Sequence, residues 1–257
     1  MTWQNEFTPL LYDVIDSTNA EAIRIAKRGA LGNFLIWGGV QTAGKGKYGR
    51  VWHSEPGNLH ISLLLNQKYQ IYKASQLVYV ASIALVNALN EMKQKLFDNS
   101  HNKFYIKWPN DIILNHKKCA GILLESQISS TDNNCDFVVI GIGVNTKICP
   151  QHSDANFAPT SLFENEVFID NNELIDKFMS NFMKIYDMWF KNNFEYIQSQ
   201  WQNNAFMMNE KIKVSTRNNI ITGILKGLNE DGLLIITSDE GEDISISTGE
   251  VFLPDNL

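Results

Sequence analysis

The sequence predicts an α/β domain followed by a small all-β domain, and three observations carry that reading. Up to about Trp201, runs with strand-like and helix-like apolar spacing follow one another. Past Met208 only short strand-like runs remain, each set off by a turn. The chain has 257 residues, 44% of them hydrophobic and 19% charged, which suits one large folded unit with a smaller one attached. The boundary is placed near Met208, giving domains 1–207 and 208–257.

Charge and cysteine usage narrow the class. A formal net charge of −6 argues against broad, nonspecific nucleic-acid binding. Cys119, Cys135 and Cys149 cannot all pair and form no C-x-x-C, so a reducing compartment without structural zinc is the simpler reading. Met1 to Leu10 contains Glu6 and lacks the apolar core of a signal peptide. No run reaches the length of a membrane span. A cytoplasmic protein with no membrane partner is expected.

The elements follow in order. Thr18 and Glu21 have capping-box spacing and Gly29 is a stop, which predicts a short helix with Thr18 as its cap. Phe34 to Val40 and Leu59 to Leu65 read as buried strands on either side of a glycine loop. Leu77, Val80, Ala81, Ala84, Leu85, Ala88, Leu89 and Met92 keep helical spacing, and that helix belongs to the core. Lys103 to Trp108 alternates as a strand, and Pro109 ends it. Asp111 to Leu114, a turn at Asn115-His116, Ile122 to Glu125, a turn at Asp132 to Asn134 and a strand from Phe137 to Gly143 complete the sheet. Leu174, Phe178, Phe182, Ile185 and Trp189 mark a long helix. Lys211 to Ser215, Ile220 to Leu225, Leu233 to Thr237 and Ile244 to Ser247 are the strands of a small barrel.

The stretch with the most chemistry is Gln41 to Trp52, where Gly44, Gly46 and Gly49 sit among Lys45, Lys47 and Arg50. Glycine lets backbone approach a ligand, and cations in the same loop suit a phosphate. Two known motifs overlap it and both fail. Gly46 stands where a P-loop needs a hydroxyl for Mg²⁺. The G-x-G-x-x-G of Gly44, Gly46 and Gly49 opens no helix, since Pro56, Gly57 and a strand follow. Local residues leave two readings open: an anion-wrapping loop, or a mobile solvated hairpin. Lys118 taken alone reads as a solvated lysine. Turn chemistry and ligand contact explain Asn145 equally well.

Several separated motifs then converge. The chain resembles the biotin–protein ligases in Ser17-Thr18-Asn19, Gln41 to Arg50 with Trp52, and Lys107-Trp108-Pro109-Asn110-Asp111. Lys118 to Ile122, Gly141 to Asn145, Thr160-Ser161-Leu162 and Gly249-Glu250-Val251 continue the match in the family's order over nearly the whole chain. The resemblance implies a catalytic domain related to class II aminoacyl-tRNA synthetases, followed by an SH3-like barrel. It also implies a reaction: biotin and ATP form biotinyl-5′-AMP, and biotin passes to a lysine of a biotin carboxyl carrier protein. Mg²⁺ is expected with the triphosphate, with ligands that the sequence does not assign. Some family members carry an N-terminal DNA-binding domain. Here Ser17 lies too near the start for one, so a monofunctional ligase that does not bind DNA is expected, as monomer or homodimer.

By the same resemblance, Ser17, Thr18, Asn19, Gln41, Gly44, Lys45, Gly46, Lys47, Trp52, Lys118, Gly121 and Gly143 contact biotin. Lys47, Arg50, Trp52, Asn110 and Asn145 face ATP or the adenylate. Lys118, Lys47 and Lys45 are the implied catalytic cations, because two anions must meet. Lys107 and Asp111 read equally as a supporting ion pair or a structural one. The family's loop commonly carries arginines where this chain has Lys45 and Lys47, and Tyr48 interrupts the basic run. A lipoate–protein ligase is the alternative within the fold. A non-catalytic biotin-responsive regulator is the alternative outside it.

Overall fold

A computed structural model describes residues 3–95, 102–150, 157–191 and 194–253. The outer ends of the two expected domains, residues 1–2 and 254–257, lie outside it. The first part runs β1 (Phe7–Ile15), α1 (Thr18–Lys27), β2 (Asn33–Gln41), β3 (Leu59–Leu65), β4 (Tyr69–Gln70) and α2 (Ile71–Lys95). It continues with β5 (Phe104–Lys107), β6 (Asp111–Leu114), β7 (Lys117–Ile128), β8 (Asn134–Val144), α3 (Asn171–Phe190) and α4 (Phe194–Asn204). These strands form one sheet in the order β1-β2-β3-β8-β7-β6-β5, with β4 paired to β8. Only β1 and β2 run parallel.

The sheet has two differently covered faces, and β3 shows why its run is apolar throughout. All seven of its residues are buried. Leu59, Ile61, Leu63 and Leu65 join the main core with α2 and α3. Leu64 points the other way, toward Ile25 and Ala22 of α1. A strand covered on both sides needs no polar alternation. The predicted helical stripe is that core's centre: Leu77, Val80, Ala81, Ala84, Leu85, Ala88 and Leu89 are fully buried. Truncating one such leucine costs about 2–5 kcal/mol. Since α1 covers only part of its face, the sheet beyond it is left for a cleft.

The second part runs β9 (Lys211–Ser215), β10 (Ile220–Leu228), β11 (Leu234–Thr237), β12 (Asp243–Ile246) and β13 (Glu250–Phe252). They form an antiparallel sheet ordered β12-β11-β10-β9-β13. Its Ile212, Val214, Leu225, Leu234 and Ile236 share the main core with α2 and α4. Tyr79 on α2 donates to the Gly232 carbonyl at 2.7 Å, and Gln198 on α4 donates to Leu228 O at 3.0 Å.

Three details differ from the sequence reading. The helix cap is Ser17, whose hydroxyl accepts from Ala20 N, because the Thr18 hydroxyl is engaged elsewhere. Gly29 does end that helix, with φ +76°. Neither β1 nor α4 was anticipated: β1 is an edge strand with Leu11 and Val14 exposed, so it shows no clear alternation. The apolar residues Ile197 and Trp201 are the buried ones of α4, too few for a visible stripe.

Candidate active site

The cleft lies on the partly covered face of the sheet, between the start of α1, the loop after β2, and strands β7 and β8. Its volume is about 1230 Å³ when the open solvent at its mouth is included. Every predicted site residue except Gly44 lines it. Gly44 stays behind the wall, with its carbonyl accepting from Trp52 N at 3.0 Å.

The loop folds back as a tongue rather than hanging in solvent. Lys45 and Val51 form a bridge, and Gly46 N donates to Arg50 O at 2.7 Å. Tyr48 and Gly49 turn its tip with φ 57° and 77°. Two contacts tie the tip to the C-terminal sheet: Tyr48 Oη lies 3.2 Å from Thr248 Oγ1, and Arg50 pairs with Glu250 at 2.7 Å. Glu250 belongs to the Gly249-Glu250-Val251 ending. Lys45 is exposed whereas Lys47 is half-buried, and burial pushes the Lys47 ammonium below the ordinary lysine range.

Trp52 returns the loop to the floor of the cleft. A Cβ on Gly143 would lie 2.3 Å from the Trp52 ring, so only glycine lets the indole rest there. The Trp52 ring in turn faces Lys118, whose Nζ is 5.5 Å from the ring centroid.

The cations are arranged by strand register. A bulge between Ile112 and Ile113 pairs Ile113 with Lys118 and Asp111 with Gly121. Without that extra residue Lys118 would fall on the opposite face from Asp111, in the core. With it, Lys118 Nζ reaches Asp111 Oδ1 at 2.6 Å. Lys107, only 5% exposed, lies 3.5 Å from Asp111 Oδ2 and over the Phe157 ring at 4.7 Å. Burial pushes the Asp111 carboxyl up, but Lys118 and Lys107 outweigh it and hold it below the usual range. Burial pushes Lys107 down. Both lysines thus stand beside one shared carboxylate, which leaves cationic capacity for an incoming anion.

The neutral polar groups fall into two sets. Asn145 Nδ2 donates to Thr160 O at 3.1 Å, while its buried Oδ1 has no protein partner. Trp52 Nε1 is likewise buried and unpartnered. One orphan acceptor and one orphan donor on a cleft wall are groups that a ligand would satisfy. Asn110 is more committed, since its Nδ2 donates to Ile122 O at 2.6 Å. At the other end, Gln41 Oε1 accepts from Thr18 N at 2.8 Å and its Nε2 donates to Ser54 Oγ at 2.9 Å. Asn19 Nδ2 donates to Glu125 at 2.7 Å.

Ser54, Ser62 and Glu125 were not singled out from sequence. Ser62 carried a signal: it is a hydroxyl inside the all-buried run Leu59 to Leu65. Glu125 carried none, because its partner lies 106 positions away.

A cation-lined cleft on one face of a mixed sheet suits a protein that brings an acid and a phosphate together. A profile of the biotin/lipoate A/B protein ligase family matches residues 11–145, and one of the biotin protein ligase C terminal domain matches residues 208–253. The chain belongs to this ligase family and, within it, to the biotin protein ligases. It is 33% identical over 241 residues to the biotin–[acetyl-CoA-carboxylase] ligase of Paracoccus denitrificans, covering 92% of this chain and 97% of that one. It is 31% identical over 236 residues to the bifunctional ligase/repressor BirA of Bacillus subtilis, covering 90% of this chain and 70% of that one. The biotin protein ligase of Aquifex aeolicus, solved in complex with biotin and ATP, superposes with a TM-score of 0.77 at 26% identity, over 95% of this chain and 97% of that one. The α/β domain and the SH3-like C-terminal domain are therefore those of this family.

No helix among the described residues is long and apolar enough to cross a membrane.

Proposed function

We propose that this chain joins biotin to a carrier lysine in two steps within the cleft, as an ATP-dependent biotin–protein ligase. A biotin carboxylate oxygen attacks the α-phosphorus of ATP, giving biotinyl-5′-AMP and releasing diphosphate. The carrier lysine amine then attacks the acyl carbon, and AMP departs with the C–O bond electrons. The observation that carries the reading is the pair Lys118 and Lys107 sharing one carboxylate, with Lys47 lining the same cleft, beside two orphan polar groups. Lys118 meets the carboxylate, and Lys47 with Arg50 faces the phosphates. Ser17, Thr18 and Gln41 hold the ureido ring, while Asn145 and the Trp52 indole take the adenylate side. The division into domains 1–207 and 208–257 puts this chemistry in the first and the Glu250 tie in the second.

Among the described residues no three His, Cys, Asp or Glu side chains could hold a metal. A divalent ion needs only one or two carboxylates besides substrate phosphates. The cleft offers Asp111 and Glu250, each already paired with a cation. The residues fit an ion brought by the nucleotide, whose chemistry is to neutralise phosphate charge. The carrier is a biotin carboxyl carrier protein or domain of a carboxylase, and the reaction is cytoplasmic, where ATP and free thiols coexist.

The deciding assay supplies ATP with biotin or with lipoate and detects the acyl-adenylate by mass spectrometry. Biotinyl-5′-AMP alone is expected. Lipoyl-5′-AMP would favour the alternative ligase, and no adenylate with either acid would favour a non-catalytic regulator.

The loop gives a second expected result. Trypsin should cut after the exposed Lys45 in the free protein and slowly when biotin and ATP are present, because the phosphates add partners to a tongue whose tip is tied down by two contacts. Gel densitometry reads this directly. Equal rates in both states would show that the loop does not close on the ligand.

A further inference from the structure

Lys107 is a buried cation that shares its carboxylate unequally. Its Nζ lies 3.5 Å from Asp111 Oδ2, whereas Lys118 Nζ holds the other oxygen of the same group at 2.6 Å. A charge-assisted hydrogen bond of this kind is typically about 2.7–2.9 Å long, so the carboxylate serves Lys118 first. Glu250 and Lys118 also act on Lys107, with opposite signs. Burying an ammonium is costly unless something compensates it. At close range Lys107 also faces a ring, since its Nζ stands 4.7 Å from the Phe157 centroid. An aromatic face carries negative charge density and attracts a cation, more strongly out of water.

That ring is held in place. Phe157 is 6% exposed, and its ring meets that of Phe206 edge-on at 5.8 Å. Phe206 meets Tyr105 of β5 at 6.0 Å, and its backbone N donates to Ile106 O at 2.8 Å. The residue after Phe157 is fixed too, because Ala158 O accepts from Lys118 N at 2.9 Å. Phe157 is thus anchored beside the Lys118 strand with its ring over Lys107, and it lines the cleft together with both lysines.

We infer that Phe157 is a positioning residue acting through Lys107: its ring face holds the Lys107 ammonium at the cleft wall, where that cation meets the nucleotide phosphates. The inference rests on the biotin-ligase reading and adds to it a residue that carries no charge.

The test replaces Phe157 in the whole protein with 4-fluorophenylalanine and with pentafluorophenylalanine by site-specific incorporation. Fluorine nearly preserves the shape and drains the ring face of negative charge density. Phe157→Leu removes the face altogether. The ATP concentration for half-maximal biotinyl-5′-AMP formation should rise with fluorine number, by about fivefold to tenfold for the pentafluoro ring, and should rise in Phe157→Leu as well. The biotin dissociation constant, measured without ATP, should not move. In a Lys107→Met background the same replacements should leave the ATP requirement flat, because no cation remains for the ring to hold. Lys107→Gln is the second neutral background should Lys107→Met not fold. A flat fluorine series with Lys107 in place overturns the inference alone, as does an equal weakening of biotin and ATP, which would mean lost packing. A slope that persists without Lys107 would show the ring touching the nucleotide directly, and it too overturns the inference. A wild type that forms no biotinyl-5′-AMP overturns the ligase reading and this inference with it.

Discussion

Lys118→Ala is expected to lower the rate of adenylate formation by roughly 10²–10³-fold, the usual cost of losing one charge-stabilising contact in a transition state. The fold should survive. The strand contacts of Lys118 are made by its backbone, which donates to Ala158 O and accepts from Thr160 N, both at 2.9 Å, and alanine keeps them. The Asp111 carboxylate that it leaves behind retains Lys107 at 3.5 Å. Single-turnover diphosphate release measures the rate, and thermal melting checks the fold. A near wild-type rate in a well-folded variant would remove Lys118 from the chemistry.

Asp111→Asn should act in the opposite manner, on stability first. The substitution leaves the buried Lys107 without its carboxylate and sets Lys107 and Lys118 near each other uncompensated. Breaking a buried pair by removing one partner costs about 3–5 kcal/mol. The pH dependence has a definite sign. Because the folded Asp111 is held below its ordinary range, its contribution is present above the unfolded value and lost as pH falls through the folded one. Urea denaturation should thus show a wild-type advantage that is flat above about pH 5 and shrinks below about pH 4, near the unfolded carboxyl value. An advantage that does not change with acid would mean that Asp111 packs without being ionised.

How much of this was legible from sequence depends on the range of the interaction. The strand β3 and the buried stripe of α2 follow from local patterning, and both appear where the spacing puts them. The glycine loop, Lys118, Asp111 and Asn145 were legible as a set because separated motifs agreed. Their geometry was not, since it depends on a one-residue bulge that no local pattern announces. The cap went to Ser17 instead of Thr18 for the same reason: Gln41 and Ser62 compete for the threonine hydroxyl from distant strands. Glu125 reads as an ordinary strand residue until Asn19 is placed beside it. The edge strand β1 was missed because two of its apolar side chains, Leu11 and Val14, stay exposed and blur the pattern.

The two ties from the loop tip to the C-terminal sheet also bear on synthesis. Tyr48 and Thr248 are 200 positions apart, among the longest sequence separations in the chain. A ribosome adds about 5–20 residues each second, so the tip waits at least about ten seconds for its anchors. During that interval a nascent chain has its glycine loop without the two ties at its tip. A messenger truncated just before Thr248 would yield a protein in the same condition, with its loop tip lacking both ties.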